Sequence, residues 1–210
     1  MREDTTIPVT ALILAGGESR RMAVPKAFLM VGGLTVIERE ISALSAVFDE
    51  VLVVGGDPVP LQEFGVRTVP DLAIPNGARG PLVGMYSGLM AAANDCSFVV
   101  GCDMPFIVPG LAAFLAGLRD GCDLVIPRIG AYVEPLFGVY RKTALKAIEA
   151  ALERGDARLR GIFGDLDVRY VVEEELRAFD PALESFINVN TPADLEMAGR
   201  MEEKRCSEGE

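Results

Sequence analysis

Seven short apolar runs, continuous and not alternating, limit the fold of this chain more than any other feature. They read TALILA (10–15), EVLVVG (50–55), VRTVP (66–70), SFVVGC (97–102), CDLVIP (122–127), VEPLFGVYR (133–141) and VRYVV (168–172). An apolar run without polar alternation belongs to a strand covered on both faces. Between the runs, residues 35–47, 81–94, 108–119, 142–153 and 191–203 repeat apolar side chains every three and four positions, which predicts helices. Strands alternating with helices predict βαβ units and an α/β fold with an open, mostly parallel sheet. Glu134-Pro135 removes a ladder donor from the sixth run, which predicts an edge or antiparallel strand there. No repeat or linker interrupts the pattern, so one domain is expected over 1–203, with the polar residues 204–210 as a frayed, disordered tail.

Charge and composition narrow the chemistry. Twenty lysines and arginines against 31 acids give a net charge of −11, with no basic block anywhere. Such a surface repels nucleic acid and anionic lipid, so neither is an expected partner. A phosphate ligand then needs a local cluster of donors acting against the global field. The chain has no histidine, which removes imidazole as base, proton shuttle or metal ligand. The four cysteines lack the paired spacing of a zinc site, and no secretory leader pattern or apolar stretch of about 20 residues is present. A cytoplasmic, membrane-free protein is the expectation.

Ligands of such sheets sit outside the carboxyl ends of the strands, so the residues after each run carry the information. After the first run stands LILAGGESRRMAVPK (12–26), where a glycine pair permits close anion approach and Arg20, Arg21 and Lys26 add charge. It is neither a Walker A loop, lacking Gly-Lys-Ser/Thr, nor a dinucleotide fingerprint, lacking Gly-x-Gly. After the third run, Asp71 precedes a loop that opens a helix at Gly80-Pro81. After the fourth, GCDMP places Asp103 at a strand end, where a carboxylate suits Mg²⁺ shared with substrate phosphates. Near the C-terminus, NVNTPADL combines Asn188 and Asn190 with a helix start in which Thr191 caps, Pro192 is first and Asp194 third. Each motif alone also has an ordinary structural explanation as a turn or a cap.

In this order the pieces resemble nucleotidyltransferases with an LAGG-x-S-x-R-M loop and, more narrowly, the molybdenum cofactor guanylyltransferase (MobA-type) family. The matching segments are LAGGESRRM with Lys26, Asp71 with GPLVG (80–84), GCDMP (101–105), EPLFGVYR (134–141), GDARLRGIF (155–163) and NVNTPADL (188–195). The resemblance implies a Rossmann-like nucleotidyltransferase fold, three-layered with a mixed, mostly parallel sheet. It implies transfer of GMP from GTP to the phosphate of molybdopterin or Mo-molybdopterin, with Mg²⁺ as cofactor and release of pyrophosphate. Molybdenum-insertion and molybdoenzyme-maturation proteins would be its partners.

By that resemblance Leu14, Ala15, Gly16, Gly17, Lys26, Asp71, Gly80, Pro81, Gly84 and Asp103 bind the nucleotide. Lys26, Arg21 and Asp103 form the catalytic set, with Asp103 on the metal. Arg158, Asn188 and Asn190 face the acceptor. The family's usual glycine after Arg-Met and aspartate before the lysine are Ala23 and Pro25 here. Transfer from another nucleotide, CTP with molybdopterin, or to a sugar phosphate or cobinamide phosphate, stays open at this stage. So does a non-catalytic nucleotide-binding module of cofactor assembly.

Overall fold

The structure, a computed structural model, describes residues 6–16, 24–57, 61–74 and 76–208. Its centre is one mixed eight-stranded sheet. In chain order the elements are β1 (Ile7–Leu14), the hairpin β2 (Met30–Val31) and β3 (Leu34–Thr35), α1 (Val36–Ser45), β4 (Phe48–Val54), β5 (Arg67–Val69), α2 (Pro81–Ala91) and β6 (Cys96–Gly101). There follow α3 (Pro109–Gly117), β7 (Leu124–Ile129), β8 (Tyr132–Val133), β9 (Phe137–Arg141), α4 (Leu145–Glu153), β10 (Val168–Val172), α5 (Glu173–Arg177) and α6 (Pro192–Glu208). The sheet runs β10-β7-β9-β6-β1-β4-β5, with β8 pairing with β7 and the β2–β3 hairpin standing apart.

β1 sits between parallel neighbours, pairing Leu14 with Val54 of β4 and with Gly101 of β6. The chain leaves β1 toward β4 and β5, then crosses back to place β6 on the other side. That reversal opens a crevice at the carboxyl end of β1, the usual ligand position in such sheets.

The continuous apolar runs are explained by layering. Along β1, Val9, Ala11 and Ile13 enter one core with Ile37 and Leu44 of α1 and Leu111 and Leu115 of α3. Leu12 and Leu14 enter the opposite core with Leu82, Met85 and Leu89 of α2 and Ile148 and Leu152 of α4. Successive side chains of a strand point to opposite faces, so both sets must be apolar when helices cover both. All five residues are buried. Each valine, leucine or isoleucine among them contributes about 1.5–3 kcal/mol of burial free energy. No helix among the described residues is long and apolar enough to cross a membrane.

The segment with Glu134-Pro135 is antiparallel, one of the two forms expected of it, and β9 lies inside the sheet between β6 and β7. The proline precedes the strand, which begins at Phe137, so it costs the ladder nothing. The tail expected to fray from 204 instead continues α6 to Glu208. Arg205 holds it there by bonding Glu184 and stacking 4.5 Å from the centre of the Phe106 ring.

Gly138 shows how closely the interior strands approach. A Cβ there would lie 2.7 Å from the Val125 carbonyl oxygen, a backbone atom that cannot rotate away. Gly138→Ala is therefore expected to destabilise the fold by about 1–3 kcal/mol. Urea unfolding checks it; an unchanged midpoint would contradict this packing.

Candidate active site

Lys26 is presented by a short turn. Pro25, with φ −54° and ψ 139°, leads into a 3₁₀ helix over Lys26–Phe28. That φ is near proline's own fixed value, so proline before the lysine stiffens the approach. The buried side chain of Ala27 anchors the turn, and Val36 N donates to Leu29 O at 2.9 Å, joining it to the start of α1. α1 itself opens with a reciprocal cap between Thr35 and Glu38.

From this turn Lys26 Nζ donates to Asp103 Oδ2 at 2.9 Å and to Asn190 Oδ1. The pair is partly buried, with 28% of the Lys26 side chain and 19% of the Asp103 side chain exposed. It is thus shielded enough to strengthen the attraction and open enough for a ligand to reach.

Three consecutive residues of the loop after β6 are each held by a different element. Cys102 N donates to Leu14 O at 3.3 Å, Val189 N donates to Asp103 O at 2.8 Å, and Met104 N donates to Glu40 Oε1 at 3.1 Å. Asp194 Oδ2 accepts from Asn190 N and Thr191 N, while Thr191 Oγ1 accepts from Asp194 N. This is the helix cap expected from the sequence, and it also fixes the backbone of Asn190. The same N–H groups hold the Asp194 carboxyl below its usual range, the Asn190 amide contributing most.

On the other side of the β1 end lies a cavity of about 840 Å³. Leu14, Gly16, Asp71, Gly80, Pro81 and Gly84 all line it. Glycines set its shape. Gly80 caps α2 with φ 120°, a conformation open in practice only to glycine. A Cβ on Gly16 would stand 3.2 Å from Asp71 Oδ2, and one on Gly84 would stand 3.4 Å from Asp71 Oδ1. The carboxylate is thus seated against two glycines. Partial burial raises its pKa, although the residue still reaches solvent. Ser87 Oγ accepts from Leu72 N and donates to Val83 O, both at 2.8 Å, tying the loop to α2. Asn76 Nδ2 donates to Leu152 O at 2.6 Å and pins the loop's far side to α4.

The remaining expected site residues are distributed unevenly. Ala15 stands beside the cavity, its N–H bonded to Val54 O at 2.8 Å, but does not line it. Asn188 donates to Phe186 O at 3.1 Å instead of joining Lys26. Arg158 is exposed and forks onto Asp156, Nε to Oδ1 and NH2 to Oδ2, both at 2.9 Å. Gly17 and Arg21 lie outside the described residues, as do Arg20 and Ala23.

Two contributors escaped the sequence reading. Gly55 follows β4 with φ 73° and packs on Gly16, where its Cβ would stand 2.9 Å from Gly16 Cα. It obeys the strand-end rule that singled out the others. Glu40 is wholly buried under the Asp103 loop; its place on the apolar face of α1, four residues after Val36 and four before Leu44, was the available signal.

Among the described residues no group of three or more histidine, cysteine, aspartate or glutamate side chains could by itself hold a metal ion. The available donor is Asp103, a hard carboxylate. That suits a cation taking one protein carboxylate and completing its shell with ligand phosphates and water.

Comparison with known proteins completes the assignment. Residues 11–173 match the sequence model of the MobA-like NTP transferase domain. A probable molybdenum cofactor guanylyltransferase of Pelotomaculum thermopropionicum is 43% identical over 197 residues, 94% of this chain and 95% of that one. The molybdenum cofactor guanylyltransferase of Desulfosudis oleivorans is 38% identical, over 90% of this chain and 94% of its own. The crystal structure of molybdopterin-guanine dinucleotide biosynthesis protein A from Archaeoglobus fulgidus superposes with a TM-score of 0.81. It is 29% identical, over 93% of this chain and all of that one. The matched segment runs from β1 to β10 and so takes in both the cavity and the Lys26–Asp103 pair: the chain belongs to the MobA-like NTP transferase family and is a nucleotidyltransferase.

Proposed function

We propose that the protein transfers GMP from GTP to the phosphate of molybdopterin or Mo-molybdopterin, releasing pyrophosphate and forming the guanine dinucleotide cofactor. The observation that carries this reading is the placement of two different sites on either side of one strand end. A cavity of nucleoside size lies along Leu14, Gly16, Asp71 and Gly84. The Lys26–Asp103–Asn190 cluster lies beside it, joined through the bond from Cys102 N to Leu14 O. A nucleoside held in the first would direct its phosphates toward the second. The names of the relatives supply the base and the acceptor.

The reaction suits a chain without histidine. An oxygen of the acceptor phosphate, already ionised at neutral pH, attacks the α-phosphorus of GTP; the bond to the β-phosphate breaks and pyrophosphate leaves. No general base is required, so the protein's task is alignment and neutralisation of charge. Lys26 already has its ammonium facing acceptor oxygens, and phosphate oxygens can replace the Asp103 contact as the triphosphate enters. Asp103 would hold a Mg²⁺ ion, which would supply charge neutralisation at the leaving group. Asn190 reaches Lys26 from the side of α6 and would meet the acceptor there. The Gly16–Gly17 loop is assigned to the triphosphate and Arg21 to the leaving pyrophosphate by resemblance. We place the reaction in the cytoplasm, with the pterin exchanged with molybdenum-insertion and molybdoenzyme-maturation proteins.

Pyrophosphate release measured with Mg²⁺ and each of the four nucleoside triphosphates, with and without molybdopterin, tests the proposal. Release that needs both GTP and molybdopterin, and stops with EDTA, is expected; preference for CTP, or binding without release, would overturn it. Lys26→Ala and Asp103→Ala are each expected to lower the transfer rate by about 10²–10³-fold while remaining folded. A variant with a near-normal rate would remove that residue from the mechanism.

A further inference from the structure

Glu40 lies on α1, in a part of the chain that no motif marks. Its side chain has 0% exposure. Oε1 accepts from Met104 N at 3.1 Å, and Oε2 is buried with no hydrogen-bond partner among the described residues. Burial moves the carboxyl well above its usual range, with the Met104 amide opposing and nearby Asp103 reinforcing the shift. As a packing element this is a poor choice. A buried carboxyl with one oxygen unpaired is destabilising, and an apolar side chain of similar volume would fill the space without that penalty.

What the side chain gains is a grip on one backbone group, the amide immediately after Asp103. The two other anchors of that loop come from β1, through Leu14 O, and from the segment before α6, through Val189 N. Glu40 supplies the third, from the helix whose first residue is bonded to the Lys26 turn at Leu29 O. With the backbone held at Cys102, Asp103 and Met104, the Cα–Cβ direction of Asp103 is fixed, and only side-chain rotation, restrained by the Lys26 contact, is left.

We propose that Glu40 is a positioning residue for Asp103, holding the Met104 amide so that the carboxylate keeps its aim at Lys26 and at the metal–triphosphate. The inference rests on the reading of Asp103 as the metal carboxylate of guanylyl transfer. Glu40 touches neither substrate nor metal. Partners at this remove typically alter metal affinity or rate by about 10–100-fold.

The test compares Glu40→Gln with Glu40→Leu. Glutamine keeps a neutral carbonyl oxygen for the Met104 amide, whereas leucine keeps the volume and leaves that amide unpaired. Mn²⁺ serves as a paramagnetic substitute, and its binding is followed by electron paramagnetic resonance in the presence of a non-hydrolysable GTP analogue. Transfer assays record the Mg²⁺ half-saturation, kcat and the KM for GTP. Glu40→Leu is expected to weaken Mn²⁺ binding and raise the Mg²⁺ half-saturation by about tenfold, with the KM for GTP within twofold of the parent. Glu40→Gln is expected to restore both.

Unchanged metal binding in a folded Glu40→Leu protein would overturn the proposal. So would a folded Glu40→Gln protein with metal binding as weak as an Asp103→Ala control. If Glu40→Leu does not fold, the Glu40→Gln result decides alone by that criterion. A parent enzyme with no Mg²⁺-dependent transfer from GTP would instead defeat the functional reading, which separates the two failures.

Discussion

The contact of Lys26 Nζ with Asp103 Oδ2 and Asn190 Oδ1 brings together residues 77 and 164 positions apart. Everything else in the structure acts to put those groups in one place. The turn at Pro25 delivers the lysine, the end of β6 delivers the aspartate, and the cap of α6 delivers the asparagine. An ammonium and a carboxylate drawn partly out of water strongly favour each other, yet neither is so deep that a polyanion could not compete. In a protein of net charge −11 the Lys26 ammonium is a local cation that an anionic substrate can engage.

Close approach governs the second half of the site. Gly16, Gly55 and Gly84 let the ends of β1 and β4 and the first turn of α2 converge on Asp71. At Gly88 a Cβ would come within 2.9 Å of Leu12 Cδ1, so α2 lies low against the sheet one turn further on. The depth of the cavity follows from that low packing. The loop crossing it is tied to α2 by Ser87 and to α4 by Asn76, so its shape is largely set before a nucleotide arrives.

The sheet was legible because burial on both faces leaves a mark that few other arrangements share: Val9, Ala11 and Ile13 in one core, Leu12 and Leu14 in the other. The position of β9 was not. Pro135 reads as an edge marker, but it falls two residues before the strand starts, and the order of strands depends on contacts that no local pattern encodes. The extension of α6 was hidden because Arg205 and Glu202 look like a solvated surface, although they bind Glu184 and Arg39 across the fold. Lys26, Asp71 and Asp103 were found because each follows an apolar run. In sequence Asn188, which the helix cap does not explain, stood out more than Asn190, which could serve the cap as a second ligand. The backbone turns Asn188 back onto Phe186 and Asn190 toward the lysine. Glu40 was legible only as a glutamate on the apolar face of α1, between Val36 and Leu44; the loop above it shows what it holds.

The central claim is that one strand end holds a nucleoside on one side and moves its α-phosphate to a second anion on the other. GTP labelled at the α-phosphorus, incubated with the protein, Mg²⁺ and molybdopterin, tests this most directly by following the label. The account predicts label in a guanine–pterin dinucleotide, with unlabelled pyrophosphate released in equal amount. Label remaining in GTP, or appearing in free GMP without a pterin product, would contradict it.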